Sequence, residues 1–284
     1  MTLLESRRCY QALNPLHSLI YFAPEAEEEF AGVGLRPGRM SYFAGRAAPM
    51  GAVGPGTVTA TFFNFSPELV ARHIPRAWQL ATPEAVLEAR LRAVDRVLRR
   101  LLGADLLADP EVAEAARLAG EAASACAAAG RPLYAAHADL PVPEQPHLAL
   151  WHALTLLREH RGDGHLAALT AAELDGLEAL VTHTATGKGF TGEFARASRG
   201  WPQEQWDACV ERLRERGLLD RDGRPTEHGR EQRREIERLT DTLGHAPYAH
   251  LGPAGVERLT AIAGRLTGTA LANGAFPAGI FAAS

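Results

Sequence analysis

The sequence predicts a mainly α-helical protein with one small β-hairpin in its C-terminal half. The most legible stretch is Arg199–Gly229, RGWPQEQWDACVERLRERGLLDRDGRPTEHG. Pro202 suits the first turn of a helix, where its missing N–H is not needed. Trp206, Val210 and Leu213 recur at helical spacing, and Gly217 is a natural stop. Leu218-Leu219 and Arg224-Pro225 flank the turn-forming run Asp220–Gly223, which can close a short hairpin. Thr226 is placed to cap the long helix that follows. Helix, hairpin, helix is the layout of a winged helix-turn-helix. The expected fold is therefore a helical N-terminal domain plus a winged helix-turn-helix-like C-terminal half with a small β-wing.

The remaining elements follow in order. Residues 11–36 hold two short helical patterns, the second with an acidic face. RMSYFAGRAAPMG reads as a compact helix, AVGPG as a turn and TVTATFF as a strand-like or buried run. Ser66-Pro67-Glu68 starts a helix expected to reach Trp78, and Thr82-Pro83-Glu84 repeats that signal. The second of these is long, with Val86, Leu87, Leu91, Val94, Leu98 and Leu101 on an apolar stripe. Its other face carries Arg90, Arg92, Arg96, Arg99 and Arg100, read as solvated. An alanine-rich helix spans 110–129, and prolines at 132, 141 and 143 mark an interdomain connection. LALWHALTLLREH is helical, RGDG a sharp turn, and Thr170-Ala-Ala-Glu173 a capping box for the next helix. The domains expected are a helical domain over 1–130, a linker over 131–146, a winged-helix-like domain over 147–251 and an apolar tail over 252–284.

Composition limits the function. A chain of 284 residues with 46% apolar and 23% charged residues is ordinary globular material, and no apolar run spans a bilayer. Neither a membrane nor a secretory leader is expected, since MTLLESRRCYQAL lacks an apolar core. Cys9, Cys126 and Cys209 are scattered without CxxC spacing, which points to reduced thiols in a cytoplasm. The net charge of −4 provides no basic field for nucleic acid, although almost all the cations are arginine. Between Arg199 and Arg224 six arginines face six acids, and the helix start presents Gln203, Glu204, Gln205 and Asp207. Duplex affinity rests on phosphate neutralisation, so this head gives DNA little attraction. Gln203, for adenine, and the wing pair Arg221 and Arg224, for phosphate, are the candidate DNA contacts.

Two other groups carry chemistry. Arg158–His165 packs two imidazoles, two guanidiniums and two carboxylates into eight residues. His160 and His165 suit acid–base work, Arg158 and Arg161 suit an anion, and helix capping accounts for the same residues. His-x4-His without a third ligand in register points away from metal, and no cofactor motif is present. The second group is Tyr42, Phe43 and Arg46 among small residues, with His17 and Tyr21 one helical turn apart. Aromatics around one arginine suit a pocket for a flat organic ligand, although aromatics at such spacing are usually core.

Together, YFAGRAAPMGAVGPGTVTATFFNFSPELVARHIPRAW (Tyr42–Trp78), LWHALTLLREHRGDGHLAAL (Leu150–Leu169) and the Arg199–Gly229 stretch resemble an actinobacterial family of SalK-like helix-turn-helix proteins. The resemblance implies a C-terminal half similar to MarR-type regulators, which are dimers that release DNA on binding small aromatic ligands. It supplies no catalytic residue set. The function expected is therefore that of a cytoplasmic small-molecule-binding regulator or sensor, a homodimer by that resemblance. Its pocket is expected between the two halves, lined by His17, Tyr42, Phe43, Arg46, Arg158 and His160. The alternative is an enzyme on a repurposed winged-helix scaffold, with His160 and His165 moving protons and Arg158 or Arg46 orienting the substrate.

Overall fold

Proline sets many of the helix starts in the computed structural model, which describes residues 1–277. The helices are α1 (Leu3–Ser18), α2 (Pro24–Gly32), α3 (Arg39–Ala47), α4 (Pro55–Phe62), α5 (Pro67–His73), α6 (Ala77–Leu80), α7 (Pro83–Leu107), α8 (Pro110–Ala123), α9 (Pro132–Ala138) and α10 (Pro146–Ala171). They continue with α11 (Gly176–Ala185), α12 (Gly192–Arg199), α13 (Gln203–Glu215), α14 (Glu227–Leu243) and α15 (Ala246–Ala272). Seven of them, α2, α4, α5, α7, α8, α9 and α10, begin at proline, whose fixed φ and absent N–H suit that position. Among the described residues no helix is long and apolar enough to cross a membrane.

The chain forms two compact units. The first comprises Met1–Val53, Pro75–Gly164 and Asp241–Phe276; the second contains Gly54–Ile74 and His165–Thr240. In the first, α15 packs on α1 and α8, and α2 packs on α7. Arginines on α7 are held by acids, Arg92 and Arg96 by Glu29 at 2.8 and 3.0 Å and Arg100 by Glu25. Arg90 departs from the expected solvated face. It shares the phase of Val86, Val94, Val97 and Leu101 and is 9% exposed.

In the second unit, Leu169, Leu174, Leu177, Val181, Cys209, Leu213, Leu218 and Ile236 form one core, with Trp201 and Trp206 packed against it. α12 and α13 are joined by Gly200-Trp201-Pro202, a three-residue turn of helix-turn-helix type. Gly200 has φ 76°, and a Cβ there would press on Leu69 at 2.7 Å, so both conformation and space require glycine.

Several expectations need correction. The β-wing is absent: the described residues contain no extended strand, and Leu219 and Pro225 form no more than an isolated antiparallel bridge. The Asp220 carboxylate closes the turn by accepting from the N–H groups of Asp222 and Arg224, both at 2.9 Å. Pro225 then has no N–H with which to extend a ladder, and Thr226 already caps α14, its Oγ1 accepting from Gly229 N at 3.0 Å. TVTATFF is helical up to Phe62, lying in α4 behind Gly54-Pro55. The helix from Pro67 stops at His73 because Pro75 follows. RGDG is not a turn; residues 161–164 lie inside α10. Gly164 permits a close approach there, since a Cβ would meet Arg131 Nη1 at 2.8 Å and Leu243 Cβ at 3.1 Å. The capping box is Asp175 with Glu178, not Thr170 with Glu173: Asp175 Oδ1 accepts from Glu178 N at 2.7 Å, while Thr170 Oγ1 bonds back to Leu166 O. The stretch expected to link domains contains α9, with Leu133 buried. Residues 253–272 of the expected tail are helical, and Val256, Leu259, Ile262 and Leu266 are buried. The end of that tail, 278–284, lies outside the described residues.

Candidate functional site

In the first unit, one side-chain network joins α1, α3, α7, α9 and α10. His17 stacks on Trp151 with centroids 5.4 Å apart. Thr155 Oγ1 donates to Trp151 O at 2.9 Å, so it accepts from His17 Nδ1 at 3.1 Å, and His17 Nε2 accepts from Tyr21 OH at 2.9 Å. Burial, then the positive charge of Arg158, holds the His17 pKa well below its usual value. Glu159 is 3% exposed and lies between two guanidiniums, Arg158 Nη1 at 2.5 Å and Arg46 Nη2 at 3.3 Å. Burial alone would raise its pKa, but those two cations pull the carboxyl well below the ordinary range. The guanidiniums of Arg46 and Arg158 also lie 5.9 and 5.8 Å from the Tyr21 ring centre. Arg46 Nη1 donates to Tyr42 OH at 3.0 Å.

A cleft that opens to solvent, with about 40 Å³ accessible to a water-sized molecule, meets this network. Its walls include Ile20, Tyr21, Phe30, Tyr42, Arg46 and Trp151, with Arg90 and Glu27. Arg90 Nη1 donates to Gly45 O at 3.1 Å and lies 3.1 Å from His137 Nε2. His137 Nδ1 is 2.8 Å from Leu133 O; only a protonated Nδ1 can bond a carbonyl, so Nε2 faces Arg90 as an acceptor. Burial, then Arg90, lowers the His137 pKa to about 3. Burial pushes Arg90 down to about 10.

This cleft lies within the first unit and is assembled from residues distant in sequence. Tyr42 and Arg46 line it. His17 and Arg158 stand behind it in the network, and Phe43 is core, fully buried. His160 is apart: it sits edge-on to Tyr134 at 5.3 Å, its buried Nδ1 has no hydrogen-bond partner, and burial lowers its pKa to about 4. His165 Nδ1 meets Thr240 Oγ1 at 2.9 Å in the second unit. Five residues on one helix place the two histidines roughly 140° apart around its axis, so the structure does not bring them together as an acid–base pair. Asp163 accepts from the N–H groups of Leu133 and Tyr134, both at 3.0 Å, at the start of α9. Arg161 pairs with Asp241 at 2.8 Å. Among the described residues no three His, Cys, Asp or Glu side chains converge as metal ligands do.

Sequence reasoning missed Arg90 and Trp151, and counted Glu159 among the two carboxylates of the Arg158–His165 run without its partner Arg46. Arg90 did leave a signal, an arginine in the apolar phase of a helix. The pairing of Glu159 with Arg46 left none, because the two are 113 residues apart.

In the second unit, Gln203 Nε2 donates to Asp207 Oδ1 at 2.7 Å. Arg216 pairs with Glu178 at 3.0 Å, Arg212 lies 3.7 Å from Asp175, and Arg214 pairs with Glu211. Arg214 also donates to Asp220 O and Arg221 O at 3.1 and 2.9 Å, bracing the turn. Arg221 and Arg224 are exposed, with Arg221 Nε 3.9 Å from Asp222. The cations of α13 are engaged, whereas Glu204 at its start is exposed.

No curated protein and no solved structure matches the chain. A family model described as a helix-turn-helix family matches residues 6–277, nearly the whole length. With α12, its glycine turn and α13 already in place, the match assigns the protein: this chain belongs to that helix-turn-helix family.

Proposed function

We propose that this helix-turn-helix protein is a small-molecule-responsive regulator or sensor, similar in plan to MarR-type regulators. The cleft of the first unit takes an organic ligand. The second unit carries the DNA-facing parts, α13 and the turn bearing Arg221 and Arg224, and the resemblance adds a homodimer. The observation that carries this reading is the cleft, a concave space with aromatic walls and buried arginines, which is the usual character of a small-molecule site. The family supports DNA as the macromolecular partner. The charge of α13 makes that contact weak and salt-sensitive. With Arg221 and Arg224 as the phosphate contacts, log affinity falls against log salt with a slope of about −2.

The test is selection from a pool of random duplexes at low salt, repeated with a panel of small organic molecules. Expected is an enriched duplex whose binding is lost in Arg221→Ala/Arg224→Ala and altered by at least one molecule that also raises the protein's melting temperature. No enrichment at low ionic strength removes DNA from the account. A melting temperature unmoved by every molecule of the panel removes the ligand.

A further inference from the structure

We infer that a second groove of the first unit, between α8 and α10, binds an uncharged aliphatic alcohol, with His152 as the residue that bonds its hydroxyl. This groove shares no lining residue with the cleft described above, and the inference does not rest on the reading of that cleft.

The groove opens to solvent and holds about 380 Å³ accessible to a water-sized molecule, room enough for a small organic ligand. Ala116, Gly120 and Ala123 of α8 line it, with Ala149, His152 and Ala153 of α10, each set at the three- and four-residue spacing of one helical face. Gly120 lies inside α8, where glycine is a poorer helix former than alanine. Neither a positive φ nor a close neighbour requires glycine there, since a Cβ meets nothing within 4 Å. Its missing side chain keeps the groove open. His152 lines the same space and is 7% exposed. Its imidazole has no hydrogen-bond partner among the described residues, and neither ring nitrogen is sealed from solvent. Polar side chains buried to that degree are almost always bonded, so a partner from outside the chain accounts for this one.

The chemistry of the lining restricts that partner. Burial, then the charge of Arg90, lowers the His152 pKa to about 4, so the ring is neutral, with one N–H donor and one acceptor nitrogen. A hydroxyl donates and accepts, and therefore suits either nitrogen. No Phe, Tyr or Trp lines the groove, so an aromatic ring finds no stacking surface. The alanine methyls and Val142, 67% exposed, offer aliphatic surface instead. Arg117, the cation of the lining, pairs with Glu121 at 3.2 Å, which leaves a carboxylate no free counter-charge.

The experiment uses the full chain and calorimetric titration with octan-1-ol. Beside it are run hexan-1-ol, heptyl methyl ether (an isomer without the O–H), octanoate and benzyl alcohol. Octan-1-ol is expected to bind about tenfold tighter than hexan-1-ol, which is two methylenes shorter, and about fivefold or more tighter than the ether, which cannot donate. Octanoate and benzyl alcohol are expected to bind more weakly than octan-1-ol. Gly120→Leu, which fills the groove, abolishes octan-1-ol binding while the melting temperature of the unliganded protein holds or rises. Should Gly120→Leu fail to fold, Ala153→Leu fills the groove from α10 with the same result. His152→Leu keeps the dependence on chain length and binds alcohol and ether equally. No binding of octan-1-ol, which leaves the groove to water, overturns the assignment. So does equal affinity of the wild type for alcohol and ether, octanoate or benzyl alcohol binding as tightly as octan-1-ol, or undiminished binding in the filled variant.

Discussion

Three buried or half-buried arginine arrangements in the first unit show how differently one side chain can be accommodated. Arg46 and Arg158 share the carboxylate of Glu159. Arg131 donates to backbone carbonyls, His160 O and Leu243 O, the latter at the end of α14 where a cation suits the helix dipole. Arg90 has only neutral partners. Removing the one acid from the first arrangement strands two guanidiniums, so Glu159→Gln is expected to lower stability by about 3–5 kcal/mol in urea unfolding. A loss below about 1 kcal/mol shows that the triad contributes little. Asp163 holds two buried N–H groups at the start of α9. Asp163→Ala leaves both without an acceptor and is expected to cost about 2–4 kcal/mol, with hydrogen exchange of Leu133 and Tyr134 accelerated as the local signature.

At the scale of elements, α10 makes the sharpest test. It carries two glycines in a helical interior, where alanine is normally better by about 1 kcal/mol. At Gly162 a Cβ meets Glu159 Oε2 at 3.5 Å, an ordinary contact. At Gly164 it meets the pinned Arg131 guanidinium at 2.8 Å and Leu243 Cβ at 3.1 Å. Gly162→Ala is therefore expected to stabilise by about 0.5–1 kcal/mol, and Gly164→Ala to destabilise by about 1–3 kcal/mol through overpacking. Thermal unfolding of the pair decides the matter, because equal shifts of the same sign refute the close-approach account. In the second unit the α12–α13 turn depends on Gly200 in the same manner, with its left-handed backbone and Leu69 close by.

For the whole molecule, buried histidines govern the response to acid. Burial, followed by neighbouring arginines, lowers His137 to about 3, His152 to about 4 and His160 to about 4, each from 6.5. The unfolded chain takes up their protons first, so their contribution is complete above pH 6.5 and is lost as pH falls towards 4 and below. Asp163 acts in the opposite sense: burial raises it from 3.8 to about 6, so its contribution is present below 3.8 and is lost as pH rises through 6. Three groups outweigh one, and the melting temperature is expected to fall steadily between pH 6.5 and 4, each fully titrating histidine adding about 1.4 kcal/mol per pH unit. A flat or rising profile over that range contradicts the neutral buried histidines. Taken alone, the sequence determined what is local: the proline helix starts, the caps at Thr82 and Thr226, the apolar stripe of α7 and the helix α13 that ends before Gly217. It misplaced TVTATFF and RGDG because β-branched residues and glycines are overruled by burial and close approach, which local propensity does not contain. Only the tertiary structure decided the cleft. Which of five arginines on α7 is buried, and which carboxylate Arg46 and Arg158 share, depend on side chains brought together from positions as far apart as 45 to 113 residues, where no periodicity reaches.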